Sequence, residues 1–296
     1  MPPGAIQYPL YAAGITTRVV QWGDSGPPVF FLHGLGSHAE VWSAVAPALA
    51  AEGRRCLALD LPGHGLSSKG GEFSYDLDAH VTWLETAADA LGEPEFHLVA
   101  SSLGGLWAAG FAARFPRRIT SLTLLGAVGL QPLAPERRGW TADYLRRMDQ
   151  SSIAERLHRA VADPAVIDAS FIEETYRMNN SAGAAEAFAR IGRYYLEHLN
   201  DDVQLDRLAE AGLGRRLLLL WGKDDATVAY SGAVEAARRL AECTLFALEG
   251  TRHVPHLERP AAVIWALSRH LRLERLPVGR REGGDISRGG EFKGVS

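Results

Sequence analysis

Short apolar runs alternate with helical patterns along most of the chain. That alternation predicts a mostly parallel sheet wrapped by helices. Residues 6–13 and 15–22 read as two strands joined at Gly14, an opening antiparallel hairpin. Residues 28–32 (PVFFL) are continuously apolar, as a strand buried on both faces should be. Helical spacing follows over 40–51, then a buried strand over 55–59 (RCLAL). An amphipathic helix over 76–91 is closed by Gly92 and Pro94. A strand over 96–100 (FHLVA), a small-residue helix over 103–115 ended by Pro116, and a strand over 119–125 come next.

The rhythm then changes. Residues from about 130 to 205 carry several helical stretches and no strand pattern. Alternation resumes at 217–221 (LLLLW), continues through 244–248, and closes with a helix over 260–271. The expected fold is α/β: a mostly parallel eight-stranded sheet flanked by helices, with an α-helical cap inserted into it. Core boundaries fall at 1–128 and 206–275, and the cap at 129–205. Residues 276–296 are Gly- and Arg-rich without periodicity and read as a disordered tail.

Composition narrows the function classes. The chain has 296 residues, 47% of them hydrophobic and 22% charged, which suits one large domain carrying an insertion. Net charge is −4, with no basic face or run, so neither nucleic acid nor an anionic membrane is an expected partner. Cys56 and Cys243 each sit in an apolar run and are expected to be free core thiols in a reducing compartment. The N-terminal MPPGAIQYPL has no basic n-region, and no apolar run approaches the roughly 20 residues of a membrane span. A soluble cytoplasmic monomer or homodimer acting on a small-molecule substrate is therefore expected.

The candidate chemistry begins at Ala100-Ser101-Ser102-Leu103-Gly104-Gly105, between a strand and a helix. A nucleophile on a sharp strand-to-helix turn needs small residues two before and two after it, and Ser102 has Ala100 and Gly104 there. Ser101 competes poorly, because Val99 and Leu103 occupy its flanking positions. A serine capping an ordinary helix is the bland alternative. Serine needs an adjacent base held by a third group. Asp224 and Asp225 follow the strand LLLLW, and His253 follows the last strand. Acid and histidine thus arrive in workable order at strand ends. Histidines and carboxylates show no metal-ligand spacing and no phosphate-binding Gly-rich loop is present, so no metal or cofactor is expected.

With those residues in view, the chain from about 15 to 272 resembles the α/β-hydrolase superfamily. His33-Gly34-Leu35-Gly36 resembles its His-Gly loop, which implies an oxyanion hole from the N–H groups of Leu35 and Leu103. Asp60 to Ser67 resembles the family's Asp-x-x-Gly-x-Gly-x-Ser loop, with structural roles implied for His33 and Asp60. His64 is read as a polar loop residue lining the cleft. Gly222, Asp225 and Val228 match Gly-x-x-Asp-x-x-Val, which selects Asp225 over Asp224. Gly250, His253, Glu258 and Pro260 match the closing Gly-x-x-His with Glu-x-Pro, and His256 and Glu258 read as packing and capping groups. Serine at the elbow separates the chain from haloalkane dehalogenases and epoxide hydrolases, which carry Asp.

The insertion, from Gly129-Leu130 through Asp163-Pro164 to Arg190-Ile191, resembles the cap of the hydrolases that cleave ring-opened aromatic (meta-cleavage) products at a C–C bond. Those enzymes carry Asn before the nucleophile and Trp after the histidine, where this chain has Ser101 and Val254. Arg190 is the cap candidate for a substrate carboxylate, and Trp42 and Trp140 are candidate pocket residues. Core packing is the expected role of Trp107. The expected activity is hydrolysis of a small, largely apolar ester through catalytic Ser102, Asp225 and His253. C–C hydrolysis on the same groups is the alternative, and a ligand receptor that retains them is a third reading.

Overall fold

The computed structural model describes residues 4–274 and Leu276. Eight strands form one sheet: β1 (Ile6–Ala12), β2 (Ile15–Trp22), β3 (Pro28–Leu32), β4 (Arg55–Leu59), β5 (Phe96–Ser101), β6 (Ile119–Leu125), β7 (Leu217–Gly222) and β8 (Thr244–Leu248). Their order across the sheet is β1-β2-β4-β3-β5-β6-β7-β8. β1 and β2 pair antiparallel, as do β2 and β4, and every later pairing is parallel. The β1–β2 hairpin turns on Ala13 and Gly14, both at positive φ, the backbone a two-residue turn of this hand requires.

The helices are α1 (Ala46–Ala51), α2 (Leu77–Ala90), α3 (Leu103–Arg114), α4 (Pro135–Tyr144), α5 (Gln150–Arg159), α6 (Ala169–Asn179), α7 (Ala184–Glu197), α8 (Leu205–Ala211), α9 (Tyr230–Arg239), α10 (Pro255–Glu258) and α11 (Pro260–His270). The stretch read as one helix over 40–51 is in fact a 3-10 turn, Ala39–Trp42, followed by the short α1. Pro47 explains the break, since its ring is tolerated in a helix's first turn but not inside it.

Both faces of the sheet are covered. Phe30 and Leu32 of β3 belong to the core shared with α2, α3, α8 and α9, while Val29 and Phe31 belong to the core shared with α1 and α11. β7 alternates likewise, with Leu217, Leu219 and Trp221 on one side and Leu218 and Leu220 on the other. Period-two side chains buried on both faces produce the continuous apolar runs seen in the sequence.

Between β6 and β7 the chain makes α4 to α8 and no strand. Asp149 and Asp168 cap α5 and α6 by accepting from Ser152 N and Phe171 N. Leu276, where the unstructured tail was expected to begin, is buried against the α1–α11 side of the core. The rest of that expected tail lies outside the described residues. Cys56 is a buried free thiol, while Cys243 is only half-buried and lies in the turn before β8 rather than in a buried strand. No helix of the described residues is long and apolar enough to cross a membrane.

Candidate active site

Parallel strands put their C-terminal ends on one edge, and a crevice opens where the strand order reverses. Here β3 pairs with β4 on one side and β5 on the other, so the loops after β3 and β5 meet at that reversal. The loops after β7 and β8 complete the same edge.

Ser102 stands between β5 and α3 with φ 53° and ψ −120°, a backbone that non-glycine residues adopt only under constraint. Ser102 N donates to Leu125 O at 2.9 Å, and Ser102 O accepts from Gly105 N and Val128 N at 3.0 and 2.9 Å. Those three bonds hold the turn. A Cβ on Gly104 would lie 2.4 Å from His33 O, so only glycine lets the start of α3 approach the β3 loop. Ser102 makes no side-chain cap to α3, which disposes of the helix-capping alternative. Its Oγ lies instead 2.9 Å from His253 Nε2.

His253 Nδ1 lies 2.9 Å from Asp225 Oδ2. Asp225 Oδ1 accepts from Thr227 N at 2.8 Å and Val228 N at 3.0 Å, which fixes the carboxylate. Both side chains are buried. The β7 end can approach the histidine loop because residue 222 is glycine: a Cβ there would meet Thr251 O and Arg252 O at 2.2 and 2.1 Å. Asp224 is exposed. With the imidazole proton on Nδ1, that N–H donates to Asp225, and Nε2 accepts from the Ser102 hydroxyl.

The hydroxyl faces a cavity of about 180 Å³. Leu35, Val128, Leu133, Ile167 and Phe171 supply much of its apolar wall. Leu103 is buried in the core, and its main chain opens α3, where first-turn N–H groups have no intrahelical acceptor. Ser101, Trp140 and Val254 also line the cavity.

Other expected site residues lie elsewhere. Trp42 is not a lining residue: it is fully buried, stacked at 4.4 Å on His256, whose imidazole does line the cavity. Arg190 is outside too, donating to Gly71 O and lying over the Tyr75 ring, because its face of α7 turns toward the 70–75 loop. His64 is buried, bonded to Pro62 O and edge-on to Phe188, and is absent from the cavity lining. Trp107 is a core residue, stacked on His80. His33 and Asp60 have the structural roles expected. His33 Nε2 accepts from Leu61 N, while Asp60 accepts from Arg18 Nε, Ala39 N and Leu66 N.

Burial keeps the surrounding imidazoles neutral. It pushes His256 down to about 3, helped by neighbouring His253, and His33 down to about 4. Burial also raises the Glu258 carboxyl.

Three arginines line the cavity and sequence reasoning missed them: Arg137, Arg156 and Arg159. Among the described residues no Asp or Glu lines it. Arg156 donates to Leu35 O and Gly36 O, Arg137 to Ala226 O, and Arg159 to Glu155. Tyr144 stands in the same wall with its ring beneath the Arg156 guanidinium and its buried hydroxyl without a hydrogen-bond partner among the described residues. A signal existed for Arg156: Ile153, Leu157 and Ala160 share its helical face at spacings of three and four. Among the described residues no group of three His, Cys, Asp or Glu is placed to hold a metal ion.

Residues 27–260 match the family described as alpha/beta hydrolase fold. The chain belongs to that family. Among its relatives is the dihydrolipoyllysine-residue acetyltransferase component of the acetoin cleaving system of Pseudomonas putida, 28% identical over 83% of this chain. The chain spans only 65% of that relative's length. The 2-hydroxymuconate semialdehyde hydrolase of Pseudomonas sp. strain CF600 is 26% identical, with 85% of this chain and 89% of that one covered. A solved bacterial membrane phospholipase A is 26% identical, with TM-score 0.77 and 91% and 86% of the two chains covered. This member of the α/β-hydrolase family is thus similar both to a protein named as a semialdehyde hydrolase and to one named as a phospholipase.

Proposed function

We propose that the protein is a serine hydrolase that cleaves a small carboxylic ester through an acyl-enzyme. The observation that carries the reading is the line Asp225–His253–Ser102, with 2.9 Å at each junction, ending on a cavity. His253 Nε2 takes the Ser102 proton as Oγ attacks the ester carbonyl carbon. The oxyanion is held by the N–H groups of Leu35 and Leu103, the second at a helix N-terminus whose dipole favours negative charge. The imidazolium returns its proton to the departing alkoxide. Water, deprotonated by His253, then releases the acid and regenerates Ser102. Asp225 holds the tautomer and stabilises the charged imidazole. Residues 129–205 act as the cap, and their α4 and α5 side chains form much of the cavity wall. A cavity of about 150 Å³ accepts benzene, so the 180 Å³ here suits a small acyl group.

A second reading is hydrolysis of a C–C bond in a ring-opened acid. The observation favouring it is the trio of arginines without a lining carboxylate among the described residues, which suits an anionic substrate. Ester cleavage ranks first because the C–C reaction must also protonate carbon before a carbanion can leave. Ser101 and Val254 line the cavity where the similar C–C hydrolases carry polar Asn and Trp. Serine still donates a hydrogen bond, but valine cannot replace an indole N–H. The test is kcat/KM on one preparation for 4-nitrophenyl esters of two to eight carbons and for a ring-opened dienoate. The best ester should be the faster substrate. A dienoate more than tenfold faster would reverse the ranking, and binding of both without turnover would point to a receptor.

A further inference from the structure

The last turn of α5 and the residues after it touch both loops of the site. On one side, Arg156 Nη1 donates to Leu35 O and Nη2 to Gly36 O, each at 2.9 Å. On the other, the main-chain N–H of His253 donates to Ala160 O at 2.9 Å, and Arg252 Nη1 donates to Val161 O at 3.1 Å. Glu258 closes this second connection. Its Oε1 accepts from Arg252 N at 2.9 Å and its Oε2 from Ala162 N at 2.6 Å.

The local chemistry explains why the bonds form. Ala160 is the C-cap of α5, so its carbonyl lies among the last four of the helix, which have no intrahelical donor. The His253 amide supplies that donor. Arg252 N and Ala162 N both point at one half-buried carboxylate, which ties the histidine loop to the insertion.

The β3 loop and the β8 loop are separated in the sheet by β5, β6 and β7. Within the core the two are also linked where Trp42, after the β3 loop, stacks on His256, after the β8 loop. Residues 156–162 join them directly over the cavity. We propose that this segment is a clasp that sets His253 against the oxyanion loop, and that Glu258 is a positioning residue for catalysis rather than a packing group. The proposal rests on His253 as base and Leu35 as oxyanion donor. A displacement of about 1 Å in such a constellation costs on the order of a hundredfold in rate. Glu258 acts at that scale, because it fixes the Thr251–Arg252 peptide, one residue ahead of His253. Any movement that lifts α5 must break these bonds, so the site is assembled only while the insertion is seated.

The test compares Glu258→Ala and Glu258→Gln in the full chain, with 4-nitrophenyl butyrate as substrate and a fluorophosphonate as probe of Ser102. The clasp predicts that Glu258→Ala lowers kcat and the labelling rate by about 30- to 100-fold while KM changes less than about threefold. Glu258→Gln keeps one carbonyl acceptor and should recover to within about tenfold of wild type. The downfield proton resonance of the His253–Asp225 hydrogen bond should shift or broaden in the alanine variant. Wild-type kcat and labelling in a folded Glu258→Ala would overturn the clasp. Should that variant not fold, Glu258→Gln and Arg252→Met decide. A kcat loss of about three- to tenfold in each at constant KM supports the proposal, and wild-type kcat in both overturns it. Ser102→Ala and His253→Ala in the same assay separate the outcomes: turnover in those would sink the serine-hydrolase reading itself, not merely the clasp.

Discussion

Gly104→Ala probes how closely the Ser102 turn must sit against the loop after β3. The added Cβ would lie 2.4 Å from His33 O and 3.0 Å from Leu32 O, both main-chain atoms with no rotamer to yield. A relaxed carbon–oxygen contact is about 3.3 Å or more, so α3 and the β3 loop must part by roughly 0.9 Å. Overpacking of this kind costs about 1–3 kcal/mol. Replacing a helical glycine by alanine returns roughly 0.4–1 kcal/mol through the unfolded chain. The net loss should be about 1 kcal/mol, or roughly 2–4 °C in Tm. The activity loss should be far larger in proportion, about 10- to 100-fold in kcat/KM, because the displaced loop carries the Leu35 N–H. Gly139→Ala is the internal control. It sits within α4 with nothing inside 4 Å of the new Cβ, so it should be neutral or slightly stabilising. Urea unfolding and ester kinetics on the three proteins settle the matter. A Gly104→Ala protein with kcat/KM within threefold of wild type would refute the close-approach argument.

Asp225→Asn should lose about ten-thousand-fold in kcat, the scale seen when an amide imposes the wrong histidine tautomer in a well-studied protease. Asp224→Asn should lose less than about tenfold, since Asp224 is exposed, and the reverse order in a kinetic comparison would show the acid misassigned. Burial holds His33, His80 and His270 near 4 and His97 and His256 near 3, so the unfolded chain, titrating near 6.5, takes up protons that the folded state refuses. Stability is therefore full above about pH 6.5 and falls as pH drops toward 4, by on the order of 2 kcal/mol per histidine at pH 5; a urea midpoint flat from pH 7 to 5 would contradict this. Arg190→Ala should leave ester kcat/KM within about twofold, because Arg190 bonds Gly71 outside the cavity; a tenfold loss would return it to the site.

The parts of this structure that could be read from sequence follow from strictly local physics. A strand buried on both faces must be apolar throughout, so β3, β4 and β7 are visible as PVFFL, RCLAL and LLLLW. The elbow and the Gly222 approach are visible because main chain meets main chain there and only small residues fit. Trp42, Arg190 and Arg156 were misjudged or missed for a different reason. A tryptophan beside the loop after β3 can face the cavity or the core, and the choice depends on His256, more than 200 positions away, against which it stacks. Which face of α5 or α7 meets the cavity depends on how the insertion helices pack on one another and on the core. Local periodicity finds an amphipathic helix but does not say what lies opposite its stripe. The clasp is hidden likewise, since it uses the carbonyls of Ala160 and Val161, whose side chains carry no signal.

The account stands most directly on Ser102. Intact-mass analysis after fluorophosphonate treatment, followed by peptide mapping, should place a single adduct on Ser102. Ser102→Ala should lose both the adduct and ester turnover, by about a million-fold in kcat if it follows the best-studied serine protease. Ser101→Ala should keep most of both. An adduct on Ser101, or turnover surviving in Ser102→Ala, would contradict the central claim.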